Sequence, residues 1–136
     1  MRFLDTNILI RYATKDDEQK AAASYLLLQR LESGEETAIT SDVVIAEAVY
    51  VLQSKAYNVS RDRIRRLLAP VIESQGLRLP SKPVYTRAFD FYCAVNISFT
   101  DAFNAAYMEA EGVDEIYSYD TDFNKIPRIR RVEPKR

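Results

Sequence analysis

Four carboxylates stand where a carboxylate is costly. Asp5 lies between Phe3-Leu4 and Ile8-Leu9-Ile10. Glu47 is the only charged residue from Val43 to Leu52, and on a helix it shares a stripe with Val44, Ala48 and Val51. Asp101 falls in the first turn of a helix carrying Phe103, Ala106 and Tyr107. Asp120 sits in the run Ser118-Tyr119-Asp120-Thr121-Asp122 at the end of an apolar segment. Singly, each has an ordinary explanation: a turn, an N-cap, a complement to the helix dipole, or a buried ion pair. An isolated ionised carboxylate on an apolar stripe, as read for Glu47, would pay a large desolvation penalty or shift its pKa. Taken together, four such groups meeting in one pocket would repel one another unless a cation stood between them.

The remaining composition says which cation. Histidine is absent and Cys93 is the single cysteine, so imidazole ligands, histidine general bases, zinc–thiolate sites and internal disulfides are excluded. The donor set is all oxygen, which suits Mg²⁺ or Mn²⁺. A carboxylate-held divalent ion beside a phosphodiester activates water and stabilises the leaving oxygen, so the chemistry needs no histidine. With 3 glycines in 136 residues there is no glycine-rich phosphate loop.

Strand–helix alternation must position these groups. Residues 1–4 read as a strand and 16–32 as a helix with Asp16, Asp17 and Glu18 at its start. Residues 37–40 read as a second strand, and Ser41 caps a helix over 42–57. Ser60 caps another, with Ile64, Leu67, Leu68 and Val71 at helical spacing. Residues 77–79 form a third strand. Ser81 and Pro83 open a helix with Tyr85, Ala88, Phe89 and Tyr92 on one stripe, and a helix over 100–111 follows. Residues 116–119 and 131–133 are the fourth and fifth strands. Gly34, Gly76 and Gly112 each follow a helical run, where left-handed C-caps are expected.

Such alternation implies a parallel sheet with helices on both faces. Ligands gather outside the carboxyl ends of its strands. With strand one beside strand four, the four acids converge there. Length and composition (47% apolar, 29% charged) fit one soluble domain over residues 1–136. The lone cysteine, the lack of a long apolar run and a start without the long apolar region of a secretion signal predict a cytoplasmic protein with no membrane segment.

The same residues resemble a known family. Asp5-Thr6-Asn7 directly after an N-terminal strand is similar to the opening of PIN-domain ribonucleases, in particular the VapC toxins of toxin–antitoxin pairs. Ser41-Asp42-Val43-Val44-Ile45-Ala46-Glu47 resembles that family's glutamate helix, Phe99-Thr100-Asp101-Ala102 its third acidic position, and Ser118-Tyr119-Asp120-Thr121-Asp122-Phe123 its closing segment, with Ser118 where threonine is more usual. The resemblance implies a three-layer α/β/α domain with a short central parallel sheet of four to five strands. It implies an endoribonuclease using Mg²⁺ or Mn²⁺, with Asp5, Glu47, Asp101 and Asp120 as catalytic metal ligands. Thr6, Asn7, Ser118 and Asp122 then support the ligands or orient the substrate. Its implied partners are RNA, a cognate VapB-like antitoxin and a second copy of the chain.

Rival readings make different demands. A PIN-domain RNA-processing nuclease outside a toxin pair would share the whole site. A receiver-like Mg²⁺-binding signalling module would want an aspartate after a middle strand, but the third strand ends in Leu79-Pro80-Ser81. A dehalogenase-like phosphatase would want Asp-x-Asp after the first strand, where this chain has Asp5-Thr6-Asn7.

The formal net charge is −1, so the molecule as a whole does not attract RNA. Local cation clusters could contact phosphates: Arg61, Arg63, Arg65 and Arg66 on one helix, and Lys125, Arg128, Arg130, Arg131, Lys135 and Arg136 in the tail. The aromatic stripes of Tyr85, Phe89, Tyr92, Phe103 and Tyr107 read as core or dimer packing, and Cys93 as a small buried hydrophobe.

Overall fold

The computed structural model describes residues 1–136. The chain divides into two compact units, Met1–Lys82 and Pro83–Arg136.

The first unit holds β1 (Arg2–Phe3), α1 (Thr6–Thr14), α2 (Glu18–Ser33), β2 (Ala38–Ile39), α3 (Asp42–Gln53), α4 (Arg61–Ile72) and β3 (Leu77–Arg78). Its strands pair in parallel in the order β1–β2–β3. Backbone bonds carry the pairing past the strand ends, with Leu4 N donating to Ile39 O at 2.8 Å and Thr40 N to Arg78 O at 2.9 Å. The Thr40 hydroxyl donates to Leu4 O at 2.8 Å, which satisfies a buried polar side chain and fixes the end of β1. Leu9, Leu31, Ile45, Leu52, Ile64 and Leu68 are fully buried in the core.

Local sequence sets the helix boundaries. Ser41 accepts from Val44 N and Ser60 from Arg63 N, each satisfying a donor that the helix leaves unpaired. α3 stops at Gln53, four residues before the predicted end. Ser54 turns extended and donates its hydroxyl to Val51 O at 2.6 Å, and Asn58 takes φ +50°. This competing side-chain bond ends the helix and puts Tyr57 in a loop.

Gly34 is the expected left-handed cap of α2, at φ +84°. Gly112 is also left-handed, but Gly76 is not. Gly76 is required by close approach: a Cβ there would lie 2.1 Å from Glu36 O and 2.7 Å from Leu31 O.

The second unit holds α5 (Tyr85–Ala94), α6 (Phe99–Ala110), β4 (Glu115–Tyr117) and β5 (Arg130–Val132). A 3₁₀ turn over Lys82–Val84 precedes α5, and another spans Thr121–Lys125. α5 packs on α6 through a cluster of rings, with Phe89 and Phe99 centroids 5.2 Å apart and Tyr92 edge-on to Phe99 at 5.5 Å. Such pairs contribute about 0.5–1.5 kcal/mol each beyond the area they bury. Tyr85, Phe89 and Tyr92 are buried as predicted. Tyr107 is half exposed, and Cys93 is only partly covered rather than buried.

β4 pairs in parallel with β5. All ladders are thus parallel, as alternation requires. The hydrogen-bonded neighbour of β4 is β5 and that of β1 is β2, so the expected pairing of strand one with strand four is not among the ladders. No helix is long and apolar enough to cross a membrane.

Candidate metal centre

The polypeptide leaves β1 at Leu4 and enters α1 at Thr6, which places Asp5 at the N-cap of α1. An aspartate there ordinarily accepts from the first-turn amides, but Asp5 makes no such bond. Its carboxylate instead lines an open cavity of about 410 Å³ in the first unit, together with Thr6, Asn7 and Glu47. Thr6 is buried, whereas Asp5, Asn7 and Glu47 are exposed.

Glu47 is exposed, so the desolvation expected from its apolar stripe does not arise. Val44 and Ala48 are buried, but Glu47 falls on the other side of α3 with Val43 and Tyr50, which are 75% and 77% exposed. The neighbours of Glu47 are apolar, yet its carboxylate meets the cavity, so it bears no burial penalty.

The second unit gathers Asp101, Asp120 and Asp122. One carboxylate oxygen from each lies within 4.8 Å of the others. Three capping bonds build this group. The Ser98 hydroxyl accepts from Asp101 N at 3.1 Å, which starts α6 and holds Asp101 in its first turn. The Ser118 hydroxyl accepts from Asp120 N at 2.9 Å, and Asp120 Oδ1 accepts from Asp122 N at 2.9 Å. Lys125 Nζ pairs with Asp122 Oδ1 at 2.8 Å and donates to Asn96 O at 3.2 Å.

The electrostatics of this trio are those of carboxylates held close together. Partial burial pushes the Asp101 carboxyl above the usual carboxylate range. The neighbouring charge of Asp120 adds to the rise, and Asp122 contributes as well. Three hard oxygen donors at this separation fit a small divalent cation such as Mg²⁺ or Mn²⁺ and offer nothing to a soft metal.

The structure thus brings Asp5 and Glu47 onto one cavity with Thr6 and Asn7, and brings Asp101, Asp120 and Asp122 together with Ser118 as a support. Asp122, an accessory residue by the resemblance, lies with Asp101 and Asp120 in the carboxylate group. Its position follows from Asp120 capping the 3₁₀ turn, a signal legible as Asp-x-Asp after a strand. Lys125 was read only as a tail cation, yet it is the counter-charge of this group. Arg130 and Arg131 are likewise engaged with Glu115 and Glu133, so three of the tail cations expected at RNA phosphates are paired within the chain.

The sequence matches the PIN domain family over residues 2–129, and the chain belongs to that family. It is 22% identical over 126 residues to the VapC ribonuclease of Aquifex aeolicus, a match spanning 93% of this chain and 92% of that protein. Among solved structures it is similar to the Mycobacterium tuberculosis sarcin-ricin loop cleaving toxin VapC20, with 19% identity, a TM-score of 0.41 and coverage of 91% of this chain and 93% of that one. The family assignment agrees with the α/β class and the parallel ladders. It leaves no place for the receiver-like reading.

Proposed function

We propose that this chain is a divalent-metal-dependent endoribonuclease of the VapC type, the toxin of a toxin–antitoxin pair, with residues 1–136 working as a single PIN domain. The observation that carries the reading is the Asp101–Asp120–Asp122 group in a chain of the PIN family, whose Asp5 and Glu47 share a cavity. Asp5, Glu47, Asp101 and Asp120 are the ligands of the ion in this proposal, and Asp122 joins or supports them. When bound, Mg²⁺ or Mn²⁺ supplies an acidified water and neutralises charge on the phosphodiester.

The chain's own residues prepare that chemistry. Ser98 and Ser118 hold the backbone at Asp101 and Asp120, so the two carboxylates are fixed before substrate arrives. Lys125 holds Asp122 through one oxygen and leaves the other for a ligand. Thr6 and Asn7, in the first turn of α1, orient the substrate beside Asp5. The similarity to a VapC ribonuclease supports RNA as the substrate; a VapB-like antitoxin as partner and the cytoplasm as the setting are part of the same proposal. A homodimer is part of the same proposal.

The test is cleavage of total cellular RNA by the purified protein. Cutting is expected with Mg²⁺ or Mn²⁺, none with EDTA, and none by Asp101→Asn. Cleavage that survives EDTA, or full activity in Asp101→Asn, overturns the proposal.

A further inference from the structure

The cavity carrying Asp5 and Glu47 has a second wall that metal binding does not use. Arg11 lies one turn beyond Asn7 on α1 and is the only basic residue lining the cavity. It pairs with neither Asp5 nor Glu47. Its Nη1 donates to Asp16 Oδ1 at 3.1 Å, just past the end of the helix. The same oxygen accepts from the Thr14 hydroxyl at 3.0 Å, and Oδ2 accepts from the Tyr57 hydroxyl at 3.1 Å. Tyr57 comes from the loop that follows α3, the helix of Glu47. The Asp16 carboxylate therefore ties the end of α1 to the α3 exit and sets the position of the guanidinium.

An arginine and a carboxylate commonly meet fork to fork through two parallel bonds. Here Arg11 spends one donor on Asp16, while Nε and Nη2 have no acceptor in the chain. A planar cation with spare donors, fixed at the edge of an acidic cavity, matches a phosphate better than a mobile ammonium would. We propose that Arg11 is a backbone-phosphate subsite for the RNA, held in place by Asp16, Thr14 and Tyr57, gripping a phosphate next to the one that is cut. This rests on the RNA-cleaving reading above.

The test compares the wild-type chain with Arg11→Gln and Arg11→Lys on a fluorophore-labelled single-stranded RNA. Glutamine keeps a polar N–H donor at this position but carries no charge, so the phosphate contact is lost. With Mn²⁺, Arg11→Gln is expected to raise KM about tenfold, the loss falling on KM rather than kcat. The slope of log affinity against log salt should shrink by about 0.7, one phosphate on a single strand. Arg11→Lys should keep the wild-type slope with a smaller rise in KM.

A clamp with only a structural role would leave the salt slope unmoved, and an unchanged slope in Arg11→Gln overturns the subsite. The slope is also read by fluorescence anisotropy in EDTA, which needs no cleavage. A wild-type chain that binds but does not cut would retire the nuclease reading alone. Loss of the helical signal in Arg11→Gln passes the decision to Arg11→Lys, where a reduced slope contradicts the proposal and a retained slope with a raised KM supports it.

Discussion

Ser98 accepts a hydrogen bond from the backbone N–H of Asp101 at 3.1 Å. The hydroxyl of one residue caps the helix, and the carboxylate of another, three residues on, faces Asp120 and Asp122. Had Asp101 been the cap, its oxygens would face the helix amides rather than Asp120 and Asp122. The same division of labour recurs where Ser118 accepts from Asp120 N.

Ser98→Ala should therefore have two effects. Loss of the cap is expected to lower stability by about 1 kcal/mol, read from the urea midpoint. Mn²⁺ affinity should fall as well, because the first turn that carries Asp101 frays. A stability loss with unchanged metal affinity would separate the cap from the site.

The Asp101 carboxyl fixes the sign of a pH effect. Its pKa in the folded chain is raised, by burial first and by Asp120 second. The folded state then binds this proton more tightly than the unfolded chain does. In EDTA, stability due to this group must fall as pH rises from the ordinary carboxylate range, about 4, through the raised value, and then level off. Asp101→Asn removes that slope and relieves the repulsion. The variant should be more stable than wild type in EDTA, with a difference that widens as pH rises in urea unfolding. A difference that stays flat across that range would contradict the electrostatic origin assigned to the shift.

Gly76→Ala tests the packing of the first unit. The added Cβ has no room against the carbonyls of Glu36 and Leu31. The backbone must move, and the expected cost is about 3 kcal/mol or more in unfolding free energy. A near-neutral result would mean that this contact yields easily.

The sequence carried most of the framework because its signals are local. Serine caps at 41 and 60, apolar periods and the strand–helix order each act within a few residues, and the structure follows them except over Thr6–Thr14, where a helix stands that the reading lacks. The misreadings arose where a longer-range or side-chain effect intervened. α3 ends early because Ser54 offers its hydroxyl to Val51 O, a bond the apolar period does not register. Glu47 was assigned to a buried stripe because its neighbours are apolar, but orientation around α3 puts it with Val43 and Tyr50. Gly76 looked like a cap and is a contact between chain segments far apart in sequence. Lys125 and Asp16 show the same gap: their ordinary surroundings in the chain hid a counter-charge for Asp122 and an anchor for Arg11.

Manganese binding tests the central claim most directly, followed through the loss of the free Mn²⁺ signal in electron paramagnetic resonance. Wild-type protein is expected to take up the ion. Asp5→Asn, Glu47→Gln, Asp101→Asn and Asp120→Asn should each weaken uptake about tenfold or more, as expected when one ligand of a shared centre is lost. Wild-type protein that leaves the free signal unchanged, or Asp5→Asn and Glu47→Gln variants that bind as wild type does, would contradict a single carboxylate-held metal centre.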